Sequence, residues 1–165
     1  LISLKNQNRQ KWDRELITLG NFYMTSAVDT KEFSTYHYEA AIAAEHLKAA
    51  DFKTTDWDQI AYWYRNLLQI NSSEFIKLNF AAVLLQLKQY TEAYEILMYI
   101  KHFKFANRKY LYSSVLAEYF YLIGDIEQFK KMMDAALSQS KNQVEHEYLI
   151  QKRIDMLNDH SGIHK

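Results

Sequence analysis

The sequence predicts an all-α protein, an array of antiparallel helix pairs of the tetratricopeptide-like type that winds as an α–α superhelix of about eight helices. Proline, the strongest helix breaker, is absent, and only 3 of the 165 residues are glycine. No segment alternates apolar and polar residues for long enough to predict a strand. A pattern in the second half of the chain recurs at a shift of 36 residues, as in stacked helix pairs.

The first two helices are predicted from apolar stripes with helical spacing. The stripe of the first helix consists of Trp12, Leu16, Leu19, Tyr23 and Ala27. The stripe of the second helix consists of Phe33, Tyr36, Ala40, Ala43 and Leu47. We therefore expect the first helix to pack against the rest of the protein through its single apolar face.

Helix starts are predicted where an N-cap side chain is followed three residues later by a second polar residue. The pairs with this spacing are Asp29 with Glu32, Thr55 with Asp58, Asn71 with Glu74, Asp125 with Gln128, and Asn142 with Glu145. The later helices are predicted near residues 57–69, 72–87, 90–102, 108–123, 126–139 and 143–157. The helix over 72–87 is apolar on nearly every face and is expected to be central. This placement predicts that Asn79 is buried and hydrogen-bonded.

The internal repeat aligns the segment from Ala81 to Ala93 with the segment from Ala117 to Phe129. Its shift of 36 residues is close to the period of ~34 residues in tetratricopeptide repeats. A small residue, Ala81 or Ala117, is expected where two helices cross closely. The repeats are degenerate because Phe129 stands where the first copy has Ala93.

One helical repeat domain is predicted over residues 1–157, where the periodic pattern ends, followed by a frayed tail over 158–165. The first residue is Leu instead of Met, so we expect the chain to be a C-terminal fragment of a longer protein. Lys and Arg number 20, as do Asp and Glu, so the net charge is zero and direct binding to nucleic acid is not expected. No apolar run approaches the ~20 residues that cross a bilayer, so no membrane contact is expected.

Motifs for catalysis or for cofactor binding are absent from the sequence. There is no cysteine, which excludes disulfides and thiolate zinc sites. None of the six histidines belongs to a metal-binding motif, and no glycine-rich phosphate loop is present. We therefore predict no catalytic, cofactor or metal site and no enzyme activity. A hydrolase that uses Asp56 and Glu39 is an alternative that needs both carboxylates in one pocket.

Aromatic residues give a stronger signal for binding. The chain has 13 Tyr, 9 Phe and 3 Trp residues, and several of them are clustered. Tyr62 and Trp63 lie off the apolar stripe of their helix and could line a groove for a partner segment, since such rings give rigid contact area with a polar group. Packing between helices is the alternative interpretation for each ring.

Four segments carry a resemblance to a known family. They are the run NQNRQKWDRELI at residues 6–17, the run AAIAAEH at 40–46, Thr55-Asp56-Trp57 with Ile60 and Tyr64, and Leu78-Asn79 followed by Ala81-Ala82-Val83. Together they resemble the carboxy-terminal domain of certain extracytoplasmic-function sigma factors. The sequence departs from that family at Phe80, where Arg is usual, and at Glu74, where Pro is common.

The resemblance implies a regulatory domain that acts in transcription initiation through protein contacts in the cytoplasm. Its implied partners are the upstream sigma domains, core RNA polymerase or both, and a regulatory protein is a further possibility. The candidate partner-binding residues are Arg9, Trp12, Asp13, Arg14, Tyr62, Trp63 and Asn79. For the first four of these residues, a solvated helix start with Trp12 in the core is the alternative interpretation. For the whole chain, the alternative is a free-standing tetratricopeptide-like scaffold that binds peptides.

Overall fold

The computed structural model describes residues 7–27, 33–103, 105 and 108–162, and within these residues it is all-α with eight α-helices and no strand. The helices are α1 (Arg14–Ala27), α2 (Thr35–Lys48), α3 (Trp57–Ile70), α4 (Glu74–Gln86), α5 (Tyr90–Ile100), α6 (Lys109–Leu122), α7 (Ile126–Gln139) and α8 (Gln143–Gly162). A short 3-10 helix, Arg9–Lys11, precedes α1. The predicted all-α fold of paired, tetratricopeptide-like helices is confirmed.

The chain divides after Ile76 into two compact units. The N-terminal unit contains α1, α2 and α3. The C-terminal unit contains α5 to α8 and all of α4 except its first three residues. The single domain predicted over 1–157 stays a prediction.

In the N-terminal unit, α2 pairs with α3 and α1 lies beside α2. The buried residues of this pair are Ile42 and Ala44 from α2 with Ile60, Ala61 and Leu67 from α3. The predicted packing face of α1 is wrong, because Leu16 and Leu19 are 65% and 49% exposed. Ile17 and Met24 face α2 instead.

The C-terminal unit has two neighbouring cores. One is made by residues of α4, α5 and α6 together with the loop residue Phe105, and its buried members are Leu78, Ala81, Leu97, Ile100, Phe105, Tyr112 and Leu116. The other joins α6, α7 and α8, and its buried members are Tyr110, Ala117, Phe129, Met133, Ala136 and Leu149. Ala81 and Ala117, the small residues of the repeat, are both fully buried, as close helix crossing requires.

The backbone repeats the turn that the alignment predicts. Lys88 and Gly124 both have positive φ, 59° and 83°. The amide of Gln89 donates to Leu84 O at 2.9 Å, and the amide of Asp125 donates to Phe120 O at 2.9 Å. The α4–α5 and α6–α7 pairs therefore turn through the same left-handed C-terminal cap.

Two predicted helix starts are confirmed by their capping residues, whereas at α4 the hydroxyl of Ser73, and not the predicted Asn71, accepts from the amide of Ile76 at 3.4 Å. Asp125 accepts from the amide of Gln128, and Asn142 accepts from the amide of Glu145. The cap predicted at Thr55 is wrong, because Asp56 caps α3 by accepting from the amide of Gln59. The start predicted at Asp29 and Glu32 lies outside the described residues, and α8 continues past Leu157 to Gly162.

Candidate protein-interaction site

Arg9 joins the sequence segments on which the family resemblance depends. Its side chain is only 2% exposed. Arg9 Nη1 donates to His46 O at 2.7 Å and to Ala49 O at 2.9 Å, at the end of α2. Arg9 Nη2 donates to Thr55 Oγ1 at 3.2 Å. We call Arg9, His46, Ala49, Thr55 and Trp57 the motif junction, because it ties the run at residues 6–17 to the run at 40–46 and to Thr55-Asp56-Trp57.

The polar contacts of Arg9 explain how the junction forms. The last carbonyl groups of a helix have no partner within it, and a guanidinium can satisfy two of them at once. Thr55 completes the arrangement, since its hydroxyl donates to Asp51 O at 3.0 Å and accepts from Arg9. The guanidinium also lies 5.3 Å from the centre of the Trp12 ring, within the range of a cation–π contact.

The ring of His46 packs into the same junction. It meets the Trp57 ring edge-on at 5.5 Å, and Trp57 also packs on Phe52 at 4.8 Å. Burial, reinforced by the positive charge of Arg9, lowers the pKa of His46 below its ordinary value, although the nearby carboxylate of Glu45 opposes this shift. His46 Nδ1 is buried and has no hydrogen-bond partner among the described residues. The junction therefore favours a neutral imidazole.

The remaining candidates of the first segment lie at the start of α1. Asp13 is exposed and caps the helix, accepting from the amides of Glu15 and Leu16 at 3.0 Å. Arg14 is exposed, and Trp12 is half-buried beneath the Arg9 guanidinium. Arg9 and Trp12 contact each other directly. The burial of Arg9 assigns it to the fold of the N-terminal unit and removes its charge from the accessible surface.

The exposed side of α1 includes three residues of the stripe that was expected to pack against the rest of the protein. Leu16, Leu19, Phe22 and Tyr23 are 49–65% exposed and lie on one side of α1. We call these residues the α1 apolar face. Monomeric proteins rarely expose a contiguous group of large apolar side chains unless it binds something. The stripe was visible in the sequence, but periodicity does not show whether a stripe has a partner within the chain.

A cleft of about 310 Å³ lies on the other side of α1, against α2. Leu16, Ile17 and Met24 line it from α1, and small residues such as Ala40 and Ala43 line it from α2. Leu16 belongs both to the cleft and to the α1 apolar face. The apolar surface is therefore continuous across the helix.

Tyr62 and Trp63 also lie in the N-terminal unit, on α3. Their rings meet edge-on at 5.0 Å, and Trp63 lies 6.2 Å from the ring of Tyr38 on α2. Tyr62 is 53% exposed, whereas Trp63 is half-buried with an Nε1 atom that has no partner among the described residues. Tyr62 is thus the accessible member of the pair, and Trp63 is the member that contacts α2.

Asn79 lies in the C-terminal unit, and the prediction that it is buried is wrong. It is exposed on α4, although its neighbours Leu78 and Phe80 are 2% and 3% exposed. Successive residues of a helix point about 100° apart, so apolar neighbours do not force a side chain inward. Phe75 and Asn79, one turn apart, mark the exposed side of this helix.

A cluster of polar side chains in the C-terminal unit links three helices. Lys152 Nζ donates to Ser114 Oγ at 3.1 Å and to Glu118 Oε2 at 2.8 Å, and Gln86 donates to Glu118 Oε1 at 3.0 Å. Burial lowers the pKa of Lys152, but the carboxylate of Glu118 outweighs it, and the net shift is upward. A serine–lysine nucleophile needs a neutral lysine, so Ser114 and Lys152 do not form one. The cluster joins α4, α6 and α8.

In the described part of the chain, no group of 3 or more His, Asp or Glu side chains could hold a metal ion. No helix in that part is long and apolar enough to cross a membrane.

Comparisons with known proteins place few constraints on function. No family model matches the chain, and no solved structure matches it. An uncharacterized protein of Rhizobium meliloti (strain 1021) is 32% identical over 79 residues, which make up 48% of this chain. The matched part covers 19% of the length of that relative, so the match shows neither a family nor an activity.

Proposed function

We propose that this chain is a protein-interaction and regulatory domain of an alternative RNA polymerase sigma factor. It would act in transcription initiation, in the cytoplasm, by contacting upstream sigma domains or core polymerase. The sigma assignment rests on the sequence motifs alone. The proposal that the domain acts through protein contacts is supported by one structural observation, the exposure of the α1 apolar face. Its residues Phe22 and Tyr23 are aromatic side chains of the kind that contribute most of the affinity in protein interfaces.

The motif junction supports this proposal indirectly. Arg9 fixes the segment that leads into α1 to the end of α2, so the motif residues hold α1 in place. A helix that is held in this way presents its outer side chains in one arrangement, and less conformational entropy is lost when a partner binds. Asp13 and Arg14 lie at the rim of the same helix, where charges mainly affect the rate of association.

The test replaces the two aromatic anchors in the full-length protein. Phe22→Ser with Tyr23→Ser should reduce transcription from the promoter that the sigma factor recognises, because a truncated hot spot often costs 2 kcal/mol or more. Tyr36→Ala is the matched control, since Tyr36 is 80% exposed on α2 of the same unit. Circular dichroism should show that both variants stay folded.

A second arm tests the regulatory role itself. Tyr62→Ala removes the accessible ring of the α3 pair and should weaken regulation less than loss of the α1 anchors does. If removal of residues 1–165 leaves transcription and its regulation unchanged, the proposal is wrong. The free-standing peptide-binding scaffold, which the repeated turn at Lys88 and Gly124 favours, would then be the better account.

A further inference from the structure

The burial of Arg9 leaves its positive charge without a hydrogen-bonded counter-ion among the contacts described. Its acceptors are two carbonyl oxygens and one hydroxyl, all neutral, and its Nε is buried with no partner among the described residues. Buried charges are normally paired with an opposite charge, because desolvation is costly. A further positive charge nearby would therefore weaken the binding of the Arg9 guanidinium at the end of α2.

His46 is the group nearby that can change this balance. Its backbone oxygen accepts from Arg9, and its ring is packed against Trp57 in the same junction. Protonation would place a second cation beside a guanidinium whose described hydrogen-bond acceptors are all neutral. Like charges at close range in a partly dehydrated site repel strongly.

The other charged groups around His46 are already engaged. On α2, Glu45 Oε1 pairs with Lys48 Nζ at 2.8 Å. In the following loop, Asp51 accepts from the amide and the hydroxyl of Thr54. On α3, the carboxylate of Asp56 caps the helix, and the side chain that touches His46 is the uncharged Trp57.

The helix packed on the other side adds no counter-charge either. The residues of α1 that face α2 across the cleft are Leu16, Ile17, Gly20, Asn21 and Met24, and none of them titrates. The nearby negative charges are those of Glu45, which pairs with Lys48, and of Asp51, which accepts from Thr54 and also interacts with Arg9.

We propose that Arg9 and His46 form an acid-sensitive latch, in which uptake of one proton by the His46 ring expels Arg9 from the end of α2 and frees the segment that leads into α1. The latch is closed while His46 is neutral. When it opens, α1 loses its anchor and the face of α2 that carries Ala40 and Ala43 is uncovered. The latch is a property of the N-terminal unit and does not depend on which partner binds α1.

The direction of the pH dependence follows from the lowered pKa of His46. Above the ordinary value of 6.5, His46 is neutral in the closed and the open state, and pH has no effect through this group. As the pH falls below 6.5, the open state takes up a proton first, and the closed state loses stability until its own lower pKa is passed. One proton changes the opening equilibrium by at most about tenfold per pH unit.

Hydrogen exchange of the α1 amides, resolved by NMR on the 165-residue chain, tests the latch. Between about pH 7.5 and about pH 5, and after correction for the intrinsic exchange rate, protection in α1 should fall several-fold while α3 stays protected. His46→Gln should remove this fall. His102→Gln, at an exposed histidine of the other unit, is the control and should leave it unchanged. The same fall in His46→Gln, or no fall in the wild type, would overturn the proposal.

A second variant keeps the test decisive if His46→Gln does not fold. Arg9→Gln should lower the protection of α1 already at about pH 7.5, because the latch is broken without a proton. In that variant the pKa of His46, followed by the NMR shift of its ring, should rise towards 6.5, since one of the causes of its depression is gone. Wild-type protection in Arg9→Gln, with an unchanged pKa of His46, would show that Arg9 does not hold α1.

Discussion

Tyr112 shows how one buried hydroxyl affects both packing and titration. Its side chain is 7% exposed, its ring stacks on Phe105 at 5.7 Å, and its hydroxyl donates to Leu97 O at 3.2 Å. Burial, with a smaller contribution from Tyr94, raises the pKa of Tyr112 to about 12. Burial removes the phenolate from the water that would stabilise its charge.

We expect Tyr112→Phe to lower the free energy of unfolding by about 0.5–1.5 kcal/mol at neutral pH, the usual value of one hydrogen bond. The raised pKa also makes the free energy of unfolding depend on pH. The stabilisation from Tyr112 is complete below pH 10, the ordinary pKa of tyrosine, and is lost as the pH rises from there to about 12. Denaturant titrations at alkaline pH should therefore show a shallower loss in Tyr112→Phe. Tyr99→Phe, at a site that is 73% exposed, should behave as the wild type.

Single residues also show where prediction from sequence fails. The apolar neighbours Leu78 and Phe80 predict a buried Asn79, yet a helix that is apolar on most sides still has one exposed side. The spacing of Thr55 and Asp58 predicts a cap at Thr55, but the Thr55 hydroxyl accepts from Arg9, 46 residues away in the sequence. No local pattern contains a contact of that length. The burial of Arg9 cannot be predicted for the same reason: its neighbours in the sequence are polar, and the residues that enclose it are 37–46 positions away.

At the scale of helices and turns, the repeat unit is the best-predicted feature. The aligned segments reproduce the same positive-φ turn, with Gly124 in one copy and Lys88 in the other. A residue with a Cβ atom is strained in this conformation, and glycine is not. The two copies therefore differ in turn strain, although their hydrogen bonds are the same.

We expect Lys88→Gly to raise the free energy of unfolding of the C-terminal unit by about 0.5–1 kcal/mol and Gly124→Ala to lower it by about 1 kcal/mol. An added Cβ at Gly124 would have no atom within 4 Å, so the cost would come from the backbone alone. Gly20→Ala is the matched control: it also has free space, but it lies in a helix with ordinary φ and should stabilise α1. Denaturant midpoints measure the three effects. A neutral Gly124→Ala would contradict the role of turn strain.

Helix boundaries were predicted well where capping chemistry is local, as at Asp125 and Asn142. Helix packing was predicted less well, and α1 is the clear case. It carries large apolar residues on two sides, Leu16 and Tyr23 on one and Ile17 and Met24 on the other. The side chains that meet α2 are those that fit against its alanines, and this choice depends on shape, which hydrophobic spacing does not contain.

At the scale of the whole molecule, the distribution of charge predicts what the chain does not bind. Positive and negative side chains are equal in number, at 20 each. Several cations are already neutralised or buried within the described residues: Lys48 pairs with Glu45, Lys152 with Glu118 and Arg153 with Asp134, while Arg9 is enclosed. The net charge of zero leaves no overall positive charge to attract a phosphate backbone.

We therefore expect the 165-residue chain to show no specific binding to promoter DNA. Affinity for a promoter duplex and for a scrambled duplex should be compared between about 50 and about 200 mM salt. A protein that neutralises several phosphates loses affinity steeply as salt rises, because counter-ions are released on binding. Weak binding that does not distinguish the two duplexes agrees with a domain that acts through protein contacts. A submicromolar complex with the promoter alone and a steep salt dependence would instead show that the chain reads DNA itself, and that its surface cations converge in a way the net charge conceals.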